Sequence, residues 1–157
     1  MEPSDFDTPL RARPKHRQGI VDDGQKIPLS VFLHANSLNE FQKTVLPLFL
    51  SANHTETDVA RALPIIDEYV SVLLAGNWEP QRPDHKGDMV DRPNHYAQFT
   101  IEPFLYAMEN QLDPCRFNAM KYICRYRLKN GIEDLRKAKR CLVMYLGYVN
   151  GDPEWSK

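Results

Sequence analysis

Apolar residues recur at spacings of three and four along the first half of the chain, which is typical of amphipathic helices. Ser37 is the predicted N-cap of a first helix, Thr55 and Asp58 form a predicted capping box at the start of a second, and Gly76 is its predicted stop. The apolar positions are Leu38, Phe41, Val45, Leu46, Phe49, Val59, Leu63, Ile66, Val70, Leu73 and Leu74. The pattern therefore predicts a helical hairpin with one apolar face.

Two prolines interrupt this pattern. Pro47 falls inside the first predicted helix and Pro64 inside the second. Because proline lacks the amide hydrogen and its ring clashes with the preceding turn, we expect each helix to kink or split at its proline, or the second to begin at Pro64.

The second half of the chain predicts three more helices. The first is capped by Thr100 and ends near Asn110, and Asp113 followed by Pro114 starts the next, which runs to about Lys129. An Asn-Gly pair breaks it before a last helix, which a Gly-Asp-Pro sequence closes. The apolar positions of the last helix are Ile132, Leu135, Ala138, Leu142, Tyr145 and Val149.

Stretches rich in proline divide the chain into parts. Residues 1–28 carry four prolines and few large apolar groups, and they are predicted to be a flexible arm. Residues 29–76 form the N-terminal hairpin, 77–90 a linker, 91–150 a second module and 151–157 a tail. The predicted fold is all-α: a small module with a C-terminal helical hairpin, preceded by another helical hairpin and a disordered arm.

Composition excludes several classes of function. The 157 residues carry a net charge of −1, so no overall field draws the chain to nucleic acid or membrane, and the basic cluster within residues 11–17 is expected to be solvated. The three cysteines form no even disulfide set. No apolar run approaches the roughly 20 residues that span a bilayer. We therefore expect a cytoplasmic protein with reduced thiols.

One polar stripe of the penultimate helix has a possible binding chemistry. At about 100° per residue, Asn118, Lys121, Tyr122, Arg125 and Lys129 fall on one side of the helix. Cations, an amide and a phenol on one surface can hold an anion such as phosphate. The alternative is a solvated helix face without a ligand.

Motifs across the second half resemble the DUF3310 family, small proteins or modules found mostly in phages, one of which is a nucleotide kinase. The matching segments are Arg92-Pro93-Asn94-His95-Tyr96, Ile101-Glu102, Asn118-Ala119-Met120-Lys121-Tyr122, Arg125-Tyr126-Arg127, Lys129-Asn130-Gly131 and Glu133-Asp134-Leu135-Arg136-Lys137-Ala138. The resemblance covers about residues 90–147. It departs from the family pattern at Phe117, where glycine is usual, and after Ala138, where only Tyr145-Leu146 of an aromatic-rich segment is kept.

The resemblance implies an activity: phosphorylation of deoxynucleoside monophosphates such as dTMP and dGMP, with Mg²⁺ and ATP or another nucleoside triphosphate. No Gly-x-x-x-x-Gly-Lys-Ser/Thr loop occurs, so side chains would have to hold the phosphates. On this hypothesis the catalytic residues are His95 and Arg125, and Glu102 and Asp134 hold Mg²⁺ through water. The residues that bind substrate and phosphate are Tyr96, Asn118, Lys121, Tyr122, Arg125 and Lys129.

Structural roles compete with these assignments. His95 can equally be a hydrogen-bonded structural residue, and an ion pair with a cation of the preceding helix is favoured for Asp134 over a metal-binding role. If Arg125 clamps phosphate, Arg125→Ala should weaken binding by about 1.5–3 kcal/mol and leave the fold intact. If Arg125 instead pairs with Glu102 or Asp134, the same substitution should lower stability.

Two further functions compete with the kinase. A non-catalytic nucleotide-binding module explains the same stripe, as does a host-interaction protein whose charged residues fix an oligomer. The two C-terminal helices cannot bury both apolar stripes by themselves, so the N-terminal helices or a second subunit must cover them. We therefore expect nucleotides as ligands and a homo-oligomer, with a host protein as the partner in the host-interaction alternative.

Overall fold

A computed structural model describes residues 26–83 and 98–157, and within these ranges all regular secondary structure is helical. The helices are α1 (Leu29–Ala35), α2 (Glu40–Leu50), α3 (Glu56–Ala75), α4 (Pro103–Asn110), α5 (Pro114–Arg125) and α6 (Ile132–Val149). The all-α prediction is confirmed. Most of the predicted arm and the start of the module near residue 90 lie outside the described residues. No described helix is both long and apolar enough to cross a membrane.

Several helix ends follow the capping chemistry that the sequence predicts. The Thr55 hydroxyl accepts from the Asp58 amide at 3.1 Å, and the Asp58 carboxylate accepts from the Thr55 amide at 3.0 Å. Asp113 accepts from the amide of Arg116 at 2.9 Å, with Pro114 in the first turn of α5. The starts of α3 and α5 are therefore fixed by local sequence.

The start of α2 corrects the sequence prediction. Asn39, not Ser37, is the N-cap: its side chain accepts from the Gln42 amide, and the Gln42 side chain accepts from the Asn39 amide, both at 2.9 Å. The two prolines also split no helix, since α2 continues through Pro47 and α3 begins at Glu56, well before Pro64.

Two other boundaries differ from the prediction, and one helix, α1, was not predicted. Thr100 caps nothing, because α4 begins after Glu102 with Pro103 in its first turn and no side-chain cap. Helix α5 ends at Arg125, four residues before the predicted Lys129, because the chain turns and the amide of Gly131 donates to the carbonyl of Tyr126 at 2.9 Å. The seven-residue α1 is too short to show a clear periodicity in the sequence.

The N-terminal helices pack directly on the module. Helices α5 and α6 form an antiparallel pair, with α2 against α5 and α3 against α6. The amide of the fully buried Gln42 donates to the carbonyls of Ile123 and Cys124, at 2.9 and 3.3 Å. Asn39 and Tyr69 hydrogen-bond to the hydroxyl of Tyr126, at 2.8 and 2.7 Å. The cover that the C-terminal helices need is thus supplied within the chain.

Candidate functional site

The antiparallel register of α5 and α6 determines which of their side chains meet. Arg125, the last residue of α5, contacts Asp134 in the first turn of α6, and one turn earlier Tyr122 lies 6.0 Å from the amine of Lys137. The exposed side of this pair, which we call the α5/α6 face, carries the polar stripe predicted from the sequence.

Arg125 and Asp134 form a buried two-point ion pair. The Arg125 Nε and Nη2 atoms lie 3.2 Å from Asp134 Oδ2 and Oδ1 respectively, and the backbone amide of Asn130 also donates to Oδ2 at 3.3 Å. Arg125 is 8% exposed and Asp134 is fully buried. Each charge also suits its place, since a cation is favourable at a helix C-terminus and an anion at an N-terminus. The pair therefore locks the turn between the two helices.

This geometry bears on the two predicted roles of Asp134. The ion pair favoured from the sequence is present, and both carboxylate oxygens already accept hydrogen bonds from Arg125. Glu102, the other predicted magnesium ligand, is half-buried at the start of α4. Nowhere in the described ranges do three His, Cys, Asp or Glu side chains cluster so that they could hold a metal. The magnesium site stays a prediction, without support from the position of Asp134.

No carboxylate of the described residues lies within ion-pair distance of Lys121 or Lys129, and the charge of Asp134 raises the pKa of each lysine less than the other causes lower it. Both are half-buried, and neither forms an ion pair with a described residue. Burial lowers the pKa of Lys121, and the positive charge of Arg125 lowers it further. The pKa of Lys129 is lowered by the same two causes in the same order. Two partly desolvated lysines beside a third cation form an electrostatically unfavourable cluster that an anion would relieve.

Lys137 differs from these two lysines. Its amine lies 2.6 Å from the carboxylate of Glu133, and this hydrogen bond raises the pKa of Lys137. The side chain is solvent-exposed. Lys137 is not among the predicted binding residues, although the predicted Asn-Gly turn brings Tyr122 and Lys137 together.

The ring of Tyr122 lies among the cations. Its centroid is 4.8 Å from both the Lys121 amine and the Arg125 guanidinium carbon. Phe117, at the position where the family pattern has glycine, places its ring 5.7 Å from the same lysine. Aromatic faces attract cations, so these rings help to hold the like charges together. Base stacking by Tyr122 stays a prediction.

Asn118 lies one turn before Tyr122 on α5 and is half-buried. Its side-chain amide forms no hydrogen bond with any described residue and is not sealed from solvent. The structure thus brings together Asn118, Lys121, Tyr122 and Arg125, and it places Lys129 near Arg125 in the turn that follows the helix. His95 and Tyr96 lie outside the described residues, so their predicted roles are untested.

Comparison with known proteins gives one match. Residues 90–142 match a family model described as a protein of unknown function, DUF3310. No curated protein and no solved structure matches the chain. The matched residues include α4, α5 and the first part of α6. The segment that carries Lys121, Lys129 and the Arg125–Asp134 ion pair therefore belongs to the DUF3310 family.

Proposed function

We propose that the protein is a nucleotide kinase without a P-loop, which binds a deoxynucleoside monophosphate such as dTMP or dGMP and phosphorylates it from ATP or another nucleoside triphosphate. The observation that carries this proposal is the pair of lysines Lys121 and Lys129, which lie beside Arg125 and form no ion pair with any carboxylate in the described part of the chain. Phosphoryl transfer depends mainly on positioning and on charge stabilisation, and lysine amines supply the charge.

Each side chain of the stripe has a role in this proposal. Lys121 and Lys129 contact phosphate oxygens, and binding of the anion offsets the repulsion that these amines feel from Arg125. Asn118 hydrogen-bonds to a sugar hydroxyl or to phosphate. Arg125 is a positioning residue in the described geometry, because its guanidinium is committed to Asp134. Tyr122 keeps the cations together.

Mg²⁺ bound with the triphosphate would bridge and neutralise its terminal phosphates. The two carboxylates predicted to contact the ion are Glu102 and Asp134, and both oxygens of Asp134 already accept from Arg125. A single carboxylate is sufficient in principle, because Mg²⁺ in such sites is held largely by phosphates and water.

A non-catalytic nucleotide-binding module is the second candidate. It is favoured by the engagement of Asp134 in the ion pair and by the lack of a metal-binding cluster in residues 26–83 and 98–157. The two candidates share the same phosphate contacts and differ only in whether a diphosphate is produced.

The first experiment measures thermal unfolding with dTMP, dGMP, ATP and Mg²⁺. A ligand that binds only the folded state raises the melting temperature by mass action. We expect dTMP or dGMP to raise it, and the rise to shrink in Lys121→Ala and Lys129→Ala. The matched control is Lys43→Ala, which removes a half-exposed lysine of α2. If no nucleotide shifts the melting temperature, both candidates are wrong.

The second experiment follows the reaction itself. Incubation of the protein with dTMP, ATP and Mg²⁺ should produce dTDP, detected by chromatography, at a rate that falls in Lys121→Ala. Binding of dTMP without production of dTDP would reject the kinase and leave the binding module.

A further inference from the structure

An aromatic cavity lies at the far end of the α5/α6 face from the ion pair. Its volume is about 300 Å³, and it opens between the N-terminus of α5 and the C-terminus of α6. The rings of Tyr145, Tyr148 and Trp155 line it, together with Cys115 and Val149. No function was predicted for this surface from the sequence.

The third aromatic wall depends on the fold of the C-terminal residues. After α6 the chain turns back, with the Asp152 amide donating to the carbonyl of Gly147 at 2.9 Å. The Trp155 ring then meets Tyr148 edge-on, with centroids 5.4 Å apart. A Cβ atom on Gly147 would lie 3.0 Å from the Cβ of Trp155, so glycine at this position allows the close approach.

The cavity and the lysines lie on one continuous face. Cys115 precedes Lys121 by six residues on α5, which is about 9 Å along a helix. Asn118, with its solvent-accessible amide, lies between them. On α6, Cys141 lies near both Cys115 and Lys121 of α5. Burial raises the pKa of the Cys141 thiol, Cys115 raises it further, and the charge of Lys121 lowers it. From one end to the other, the face presents an aromatic cavity, an amide and cationic amines.

We propose that this cavity binds the heterocyclic base of the nucleotide whose phosphate is held by Lys121 and Lys129, with Asn118 at the sugar between them. This inference rests on the proposed function. A base is planar and has a π-face, so aromatic walls hold it by stacking without selecting strongly among bases. An apolar cavity about 9 Å along the helix from Lys121, with the Asn118 amide between them, follows the order of base, sugar and phosphate in a nucleotide.

Binding is measured by calorimetry with three probes: dTMP, thymidine and inorganic phosphate. Tyr148→Ala removes a wall that is 64% exposed, so the fold should survive, and Val72→Ala, at a position that is 60% exposed on α3, is the control. We expect Tyr148→Ala to weaken dTMP and thymidine binding about tenfold. Binding of phosphate should be unchanged, and the control should behave like the natural chain with all three probes.

Tryptophan fluorescence gives an independent readout, because the chain has two tryptophans, Trp78 and Trp155. We expect dTMP and thymidine to quench the fluorescence of the natural protein and not that of Trp155→Phe. Unchanged dTMP affinity in Tyr148→Ala, or quenching that persists in Trp155→Phe, would overturn the inference.

The two proposals fail in different ways. If Lys121→Ala weakens dTMP binding while Tyr148→Ala does not, the phosphate site stands and the base cavity is wrong. If neither dTMP nor phosphate binds to the natural protein, the proposed function fails and the base cavity fails with it.

Discussion

Arg125 illustrates how a charged side chain of a binding stripe can also be part of the core. It is 8% exposed, and both of its nitrogens that contact Asp134 lie at 3.2 Å from a carboxylate oxygen. Arg125→Ala would leave the fully buried Asp134 without its counter-charge, so we expect the free energy of unfolding to fall by about 3–5 kcal/mol.

Urea denaturation of Arg125→Ala and Asp134→Asn tests this expectation. Lys43→Ala, on the half-exposed surface of α2, should leave the midpoint nearly unchanged. The buried ion pair favours the second of the two outcomes predicted from the sequence, in which Arg125→Ala lowers the stability of the fold. If Arg125→Ala unfolds at the same urea concentration as the natural chain but no longer binds nucleotide, the direct phosphate clamp is right instead.

Lys121 predicts a pH dependence of binding. Burial and the charge of Arg125 lower its pKa, whereas a bound phosphate stabilises the ammonium form and raises it. Because the bound state then holds the proton more tightly, affinity should fall as the pH rises through the lowered pKa of free Lys121. Titration of dTMP at a series of alkaline pH values measures this.

Lys121→Ala supplies the control for the pH series. It should lower affinity near neutral pH by about 1.5–3 kcal/mol and flatten the alkaline decline. An unaltered decline in this variant would assign the titration to another group. In the unliganded protein the same lowered pKa acts in the opposite direction: stability rises with pH between the folded and unfolded pKa values of Lys121, because there the unfolded chain binds more protons.

At the scale of the elements, the turn between α5 and α6 depends on Gly131. Its φ is +59°, and an added Cβ would lie 3.2 Å from the Trp78 ring and 3.3 Å from Pro80. Gly131→Ala should therefore lower stability by about 1–3 kcal/mol through backbone strain, with a further cost for the contacts. Gly151→Ala is the matched control, because its φ is +74° and nothing lies within 4 Å of the added atom. If thermal unfolding shows equal losses of stability in the two variants, the contacts of the added Cβ with Trp78 and Pro80 contribute nothing.

The sequence correctly predicted the helix starts that are fixed by side chains of the same first turn. The Thr55–Asp58 box and the Asp113-Pro114 start each satisfy their own first turn, so the sequence is sufficient there. The start of α2 also has a local signal, the Asn39–Gln42 capping box, which the choice of Ser37 as N-cap missed. The hydrogen bond between Asn39 and Tyr126, a residue of another element, is a long-range contact that sequence patterns cannot show.

The candidate site also has one part that helical spacing predicts and another that depends on the tertiary fold. Helical spacing placed Lys121, Tyr122 and Arg125 on one side, and their contacts with each other bear this out. That Arg125 would pair with Asp134 depended on the register of the hairpin, which spacing within one helix does not fix. The aromatic cavity was not predicted from the sequence, because Trp155 reaches it only through the turn after α6.

At the scale of the whole molecule, the match to DUF3310 begins at residue 90, whereas the hydrophobic core also includes residues before that position. Val45 and Phe49 of α2 and Ile66 of α3 are buried in the same core as Met120 and Leu135 of the module. This shared core removes one reason for expecting a second subunit, since helices of the same chain already cover α5 and α6. Self-association stays a prediction, which light scattering at tens of micromolar would test.

The shared core makes the family segment dependent on the N-terminal hairpin. A chain of residues 77–157 would expose the apolar faces of α5 and α6 and leave the carbonyls of Ile123 and Cys124 without the Gln42 amide. A segment of this size buries too small a fraction of its surface to tolerate that loss. We expect it to show no cooperative thermal transition by circular dichroism, whereas residues 26–157 should retain one. Adding residues 26–76 as a separate fragment should restore part of the helical signal. A cooperative transition in residues 77–157 alone would instead make the module an independent folding unit, and the N-terminal hairpin would then need a different role.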